Sequence, residues 1–322
     1  MVEIKIINNK DEWNNTLKKT INYNIFSTFE WGEYKKDTWK VERLAFYKSG
    51  NFLGQCQFLI KKRFIFIVSW NSGGINLVNY KYLESIVKVV KEYFKDNYFN
   101  LRFNFYDIKN GENLFEISQI LQPANKTLNS GFSLLHYLGD CDDFIKIMSS
   151  NHRYYYKKAS KNNFKIRYSS KESINDFILL HNEMTTSKEL NHLRINKEVI
   201  VNLSNEFSDN FLIFSIYLDE NIISSCLILT YQDQAFYYLA ASNEVGRKTY
   251  SSYFMIKELF EYLKNKGISK FDFAGITPYD KSAQGVNKFK IGFGGELVNY
   301  MGEWEMTNSR IVSYLINNVY LR

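Results

Sequence analysis

The stretch FYKSGNFLGQCQFLI, Phe46–Ile60, returns as IYLDENIISSCLILT, Ile216–Thr230, at an offset of 170 residues. Tyr47 falls on Tyr217, Asn51 on Asn221 and Cys56 on Cys226. Each copy sets two apolar runs around a polar turn, the pattern of a β-hairpin. The offset holds onward: the helical pattern of Lys81–Lys95 lands on Ser251–Asn265, and LRFNF at Leu101 on FDFAG at Phe271. A register kept over so long a span is that of a duplicated domain of more than a hundred residues, not of a short solenoid repeat. The predicted architecture is α/β, two copies of a strand–strand–strand–helix–strand unit, each a mixed sheet flanked by helices.

Composition agrees. A chain of 322 residues exceeds one comfortable core, and 45% apolar with 17% aromatic residues can fill two. Only Pro123 and Pro278 are prolines, and no linker-like segment separates the copies. The longest apolar runs, Phe64–Val68 and Phe211–Leu218, are too short to span a bilayer. The opening MVEIKIINNKDEW lacks the apolar core of a secretory signal, so a cytoplasmic location is expected. Cys56, Cys141 and Cys226 share no metal-like spacing and read as reduced thiols, and the four histidines form no HExxH-type pair. Neither a metal nor a cofactor is expected. The net charge of +7 suits a phosphate-rich partner, although a general bias toward Asn, Ile, Tyr and Lys produces such a charge too.

The chemistry concentrates in FDFAGITPYDKSAQGVNKFKIGFGGELVNYMGEWE, Phe271–Glu305. FDFAGI reads as a buried strand interrupted by Asp272. In KFKIGFGGE, Phe289, Ile291 and Phe293 alternate with Lys288, Lys290 and Gly292, which predicts a second strand with a lysine-bearing face. Gly292, Gly294 and Gly295 suit a bulge or a close approach of backbone to a ligand. This stretch resembles the signature of the FemABX peptidyltransferases, a "FDFGG" strand, a loop, "FKxGFGG" and a final Trp. The matching residues are Phe271, Asp272, Phe273 and Gly275, then Phe289, Lys290, Gly292, Phe293, Gly294 and Gly295, and Trp304.

The resemblance implies tandem GNAT-like acyltransferase domains and transfer of an amino acid from aminoacyl-tRNA to an amine of a cell-wall peptide. It extends to FSTFEWGEYKKDTW, where Trp31, Lys35 and Trp39 match a family segment and Lys35 corresponds to a lysine that contacts substrate phosphate. Without it, Lys35 and Lys36 read as a solvated helix face. It also covers NHRYYYKKASKNNFKIR, Asn151–Arg167, where Arg153, Lys157, Lys158 and Ala159 match the opening of the family's second domain. Arg153, Lys157, Lys158, Lys161 and Lys165 lie three or four apart and form a basic stripe interleaved with tyrosines, fit for an RNA backbone or simply for water. The segment SKELNHLRINKE is too short for the coiled-coil arm of some family members.

After the second hairpin, an acyl-CoA enzyme would carry a glycine-rich pyrophosphate loop at the start of its helix. RKTYSS, from Arg247, puts Tyr250 at the glycine position, which argues against acyl-CoA. By resemblance, Arg247 helps hold the phosphates of a nucleotide-linked acceptor. A structural ion pair would explain it equally well.

In the implied reaction an amine attacks an ester, and Lys290 is the candidate cation for the oxyanion, with Lys288 in reserve; Asp272 either orients Lys290 or the amine, or serves a structural hydrogen bond. Lys35, Arg247, Phe289, Lys288, Trp31 and Tyr250 form the expected substrate-binding set. Arg153, Lys157, Lys158 and Lys161 form the expected tRNA-binding set. Where family members often carry an acidic residue and proline, this chain has Asn104 and Phe105, with Asp107 nearby, and no general base is assigned. Expected domains are 1–147 and 148–306, with 307–322 as a terminal helix, Asn308–Tyr320, returning to the first. The expected partners are aminoacyl-tRNA and a nucleotide- or lipid-linked cell-wall precursor. The protein is expected to be a monomer that meets a membrane at most peripherally. Two other classes compete: an acyl-CoA-dependent N-acyltransferase acting on a sugar or amino-acid amine, and a non-catalytic RNA-binding or surface-assembly protein.

Overall fold

The computed structural model describes residues 1–141, 143–169 and 171–320. Along the chain, β1 (Glu3–Ile6), α1 (Lys10–Leu17) and α2 (Phe29–Lys35) lead into a meander of β2 (Lys40–Lys48), β3 (Asn51–Arg63) and β4 (Phe66–Asn71). The short β5 (Ile75–Leu77) pairs with β3. Helix α3 (Leu83–Tyr93) crosses over to β6 (Tyr98–Ile108), and α4 (Gly111–Ser118) and β7 (Gln122–Pro123) follow. Pairs β1–β2, β2–β3 and β3–β4 are antiparallel, whereas β4–β6 is parallel. A parallel pair needs a crossover, and α3 can lie on the sheet because Leu83, Ile86, Val87 and Val90, three and four apart, form one buried stripe.

The chain continues through β8 (Phe132–Tyr137), α5 (Phe144–Ile147), α6 (Ser150–Ala159), β9 (Lys165–Ser169), α7 (Ile174–Ser187) and α8 (Lys197–Phe207). A second meander, β10 (Phe211–Leu218), β11 (Asn221–Tyr231) and β12 (Gln234–Ser242), is followed by α9 (Glu244–Lys248) and the crossover α10 (Ser251–Asn265). β13 (Lys270–Ile276) then runs parallel to β12. The series β2-β3-β4-α3-β6 and β10-β11-β12-α10-β13 match element by element, so the repeat seen in the sequence is a repeat of topology. The last elements are α11 (Gln284–Ile291), β14 (Glu296–Thr307) and α12 (Arg310–Leu315). A π-helical turn over Ile316–Tyr320 takes the place of the second half of the long terminal helix expected.

Two compact units result, one of Met1–Gly131 with Val298–Arg322, the other of Phe132–Leu297. These differ from the expected 1–147, 148–306 and 307–322. β8, which follows β6 and the two-residue β7 in the chain, pairs with β13, while the strand after β13, β14, pairs with β6. Each repeat thus hands its final strand to the other unit, a long-range pairing with no local sequence signal. Phe58, Phe103 and Phe105 centre the first core, and Phe260, Phe271, Phe273 and Phe293 the second.

The region expected as a second lysine-bearing strand, KFKIGFGG, is instead the end of helix α11, Lys288–Ile291, and the turn after it, residues 292–295. The buried residues here are Asn287 and Lys290 in the helix and Phe293 in the turn beyond it, spaced by three. Two of them are polar, so the helical period was hidden and the remaining aromatics simulated a period of two.

Candidate active site

Lys290 is 8% exposed and its Nζ donates to the carbonyl of Gly275 at 2.9 Å and to that of Ala274 at 3.4 Å. These carbonyls turn toward it because β13 breaks register with β8 between Asp272 and Gly275, and Ala274 takes a left-handed φ of 61°. Asp272, at the start of the break, fixes it: its Oδ1 accepts from the Ala274 amide at 2.7 Å and from the Ser133 hydroxyl of β8. Asn287 clamps the following turn, donating to the Thr277 carbonyl at 3.0 Å and accepting from the Thr277 amide at 3.3 Å. Burial pulls the Lys290 ammonium down to about 8, against the opposing pull of the Asp272 charge. A cation so placed can both stabilise a negative oxygen and exchange a proton near neutral pH.

The glycines of the motif serve packing against the unit's own chain. A Cβ at Gly292 would fall 1.9 Å from the His152 ring. Gly294 and Gly295 have φ of 85° and 89°, and Cβ atoms there would meet the Ile147 carbonyl at 2.8 Å and the Leu135 carbonyl at 2.6 Å. His152 itself is bound at both nitrogens: Nε2 lies 2.8 Å from the Phe289 carbonyl and Nδ1 3.0 Å from the Ser149 hydroxyl. A carbonyl only accepts, so Nε2 carries the proton, and burial keeps the ring neutral by lowering its pKa. His152 thereby ties α6 to the end of α11, on which Lys290 stands. Gly292→Ala is expected to cost about 1 to 3 kcal/mol in urea denaturation, with much of it recovered when His152→Ala removes the opposing ring.

The other sequence candidates disperse. Lys288 is exposed and, two residues from Lys290 on a helix, faces another way, which corrects the shared strand face expected. Phe289 is half-buried against Tyr253 and Phe293. Trp31 is buried and its Nε1 donates to Ser72 Oγ at 2.7 Å. Lys35, at the end of α2, lies over the rings of Trp31 and Tyr34 at 4.7 and 4.3 Å, and burial lowers its pKa. Arg247 donates to the Ser242 carbonyl at 2.9 Å, and its charge helps to lower the pKa of Glu244 beside it on α9. Tyr250, with φ of 59°, begins α10, and its ring stacks on Tyr155 at 4.7 Å with Lys158 over it at 5.0 Å.

The basic stripe narrows on folding. Arg153 donates to the carbonyls of Met148 and Lys146 at 2.8 and 3.2 Å, capping α5, and Lys165 pairs with Glu220. Lys157, Lys158 and Lys161 stay exposed. Among the described residues no cluster of three or more His, Cys, Asp or Glu could hold a metal, and no helix is long and apolar enough to cross a membrane. The sequence reading missed His152, Ser133 and Asn287. Only the glycine spacing hinted that something bulky presses on residues 292–295.

Residues 180–320, which hold β13, α11 and β14, match the model of the FemAB family. No curated protein matches the chain. Among solved structures, the crystal structure of FemX superposes with a TM-score of 0.86 at 16% identity, over 98% of this chain and 100% of that one. A conserved protein of unknown function from Bacteroides thetaiotaomicron VPI-5482 follows with a TM-score of 0.65 at 8% identity, covering 95% of this chain and 99% of that one. A tandem GNAT protein from the clavulanic acid biosynthesis pathway gives 0.53 at 7% identity, covering 96% and 99%. The fold is therefore that of tandem GNAT-like domains, without a coiled-coil arm among the described residues. Through residues 180–320, somewhat less than half of its length, and the Lys290 segment inside them, the chain is similar to the FemAB family.

Proposed function

We propose that the protein is an aminoacyltransferase that moves an amino acid from aminoacyl-tRNA to an amine of a peptidoglycan precursor, in the cytoplasm. The observation that carries this reading is the buried Lys290 ammonium, held by two carbonyls at the break in β13 and brought down to about 8. The attacking amine forms a C–N bond at the ester carbonyl, the C–O bond to the terminal ribose breaks, and the ribose oxygen takes a proton. Lys290 stabilises the oxyanion and gives the leaving oxygen its proton, regaining one from the attacking ammonium. An ester needs no covalent enzyme intermediate, so positioning and this one cation suffice. Asp272 acts indirectly, as a positioning residue that holds the carbonyls around Lys290.

Lys157, Lys158 and Lys161 are assigned to the tRNA backbone, and Lys35 and Arg247 to acceptor phosphates. The ring of Tyr250 stacked at the start of α10 supports a donor other than acyl-CoA, whose pyrophosphate would need that place. The test incubates purified protein with mixed charged tRNA and a nucleotide-linked cell-wall peptide and weighs the products. Transfer should cease on adding ribonuclease and weaken steeply with salt. Transfer that survives ribonuclease and requires acyl-CoA would overturn the assignment.

A further inference from the structure

β3 and β4 are joined by a two-residue loop, Phe64 and Ile65, between the paired Arg63 and Phe66. Phe64 is 81% exposed, Ile65 50% and Phe66 42%. The exposed Tyr98 stacks on Phe66 with ring centroids 5.8 Å apart. Folding gains nothing from apolar side chains held in water at a loop tip. The backbone is also set against the side chain, since Phe64 has a φ of 54°, costly for a bulky residue and usual for glycine or asparagine.

The duplication supplies an internal control. In the second unit the corresponding hairpin turns at Gln232 and Asp233, between the paired Tyr231 and Gln234, and Gln232 has the same φ of 54°. The turn thus accepts polar residues, and nothing in the fold asks for phenylalanine and isoleucine at the first unit's tip. Charge surrounds that tip as well. Lys61, Lys62 and Arg63 are exposed just before it, and no Asp or Glu occurs in the sequence between Glu42 and Glu84. Lys61 lies over the ring of Trp39 at 4.6 Å.

An apolar, convex tip collared by cations and by Trp and Tyr matches a bilayer surface. Phe64 and Ile65 suit the hydrocarbon edge, the amphipathic rings suit the headgroup level, and the cations suit anionic headgroups. RNA fits less well, because Ile65 has no stacking face and a protruding loop offers no groove for a backbone. We propose that the β3–β4 hairpin docks the protein on membranes bearing anionic phospholipids.

The test is co-sedimentation of the full chain with vesicles of phosphatidylcholine, alone or mixed with phosphatidylglycerol. Binding is expected only to the mixed vesicles and should fall with salt. Phe64→Asn with Ile65→Ser, which suits the left-handed turn and should leave the thermal midpoint unchanged, is expected to lower the partition coefficient about tenfold or more. Lys61→Ser and Lys62→Ser should each lower it about fivefold at low salt. Absence of binding to the mixed vesicles, or equal binding by parent and tip variant, would overturn the proposal. So would a tip variant that keeps its lipid binding and loses charged tRNA, which would make the hairpin an RNA contact.

Discussion

Lys290→Met is expected to lower turnover with charged tRNA by about 10²- to 10³-fold and, at the same time, to make the protein more stable at neutral pH. The two effects share one cause. Folding takes Lys290 from its ordinary 10.5 to about 8, so between those values the unfolded chain holds more protons and stability rises with pH. Below about pH 8 the full cost of the buried charge is present, on the order of 3 kcal/mol. Methionine removes that cost, but it also leaves the carbonyls of Ala274 and Gly275 without their donor, so the net gain should be smaller. Urea denaturation of parent and variant at pH 7 and near pH 10 reads the difference, which should shrink at the higher pH. Parental turnover in the variant would take Lys290 out of the reaction. A variant less stable than its parent at both pH values would make the ammonium a requirement of the fold.

Arg102→Met is expected to destabilise the first unit by about 3 to 5 kcal/mol, with the protein's thermal midpoint as the measurement. Arg102 of β6 reaches Glu303 and Glu305 of β14, both at 3.4 Å, with all three side chains at most 4% exposed. It also donates to the Lys126 carbonyl at 2.8 Å and to Asn317 Oδ1 at 2.9 Å. Removing it strands two buried carboxylates. Glu303 is already held above the usual carboxylate range by burial, despite the amides of Leu128 and Asn129 that donate to it. Without the guanidinium Glu303 should favour protonation still more in the folded state, so the loss should be largest at neutral pH and shrink as the pH falls. A deficit independent of pH would point to lost packing rather than stranded charge.

The duplication was legible because its register survives over more than a hundred residues and each copy keeps its hydrophobic periods. Lys290 and Asp272 stood out in the sequence as charges set among apolar residues, but nothing there showed that Asp272 would bond the backbone whose carbonyls hold the lysine. The helix that carries Lys290 was not legible. Its buried face is built from Asn287 and Lys290, and hydrophobic periodicity cannot register a face whose inward groups are an amide and an ammonium. Nor does alanine announce a left-handed backbone, yet the φ of 61° at Ala274 is what turns two carbonyls toward the lysine. The stripe from Arg153 to Lys165 was read as one helical face, but α6 ends at Ala159, so Lys161 follows the helix and Lys165 stands in β9, and spacing cannot show that Arg153 is spent on the end of α5 or that Lys165 answers Glu220.

The exchange of final strands sets a timetable for synthesis. β6 ends at Ile108, but its neighbour on the β14 side comes only with residues 300–307, and the Arg102 guanidinium meets Glu303 and Glu305 only then. As the nascent chain leaves the ribosome, one edge of the first sheet stays open through most of translation, carrying a half-built ion cluster and unpaired backbone groups. The first unit to begin emerging is therefore the last to close.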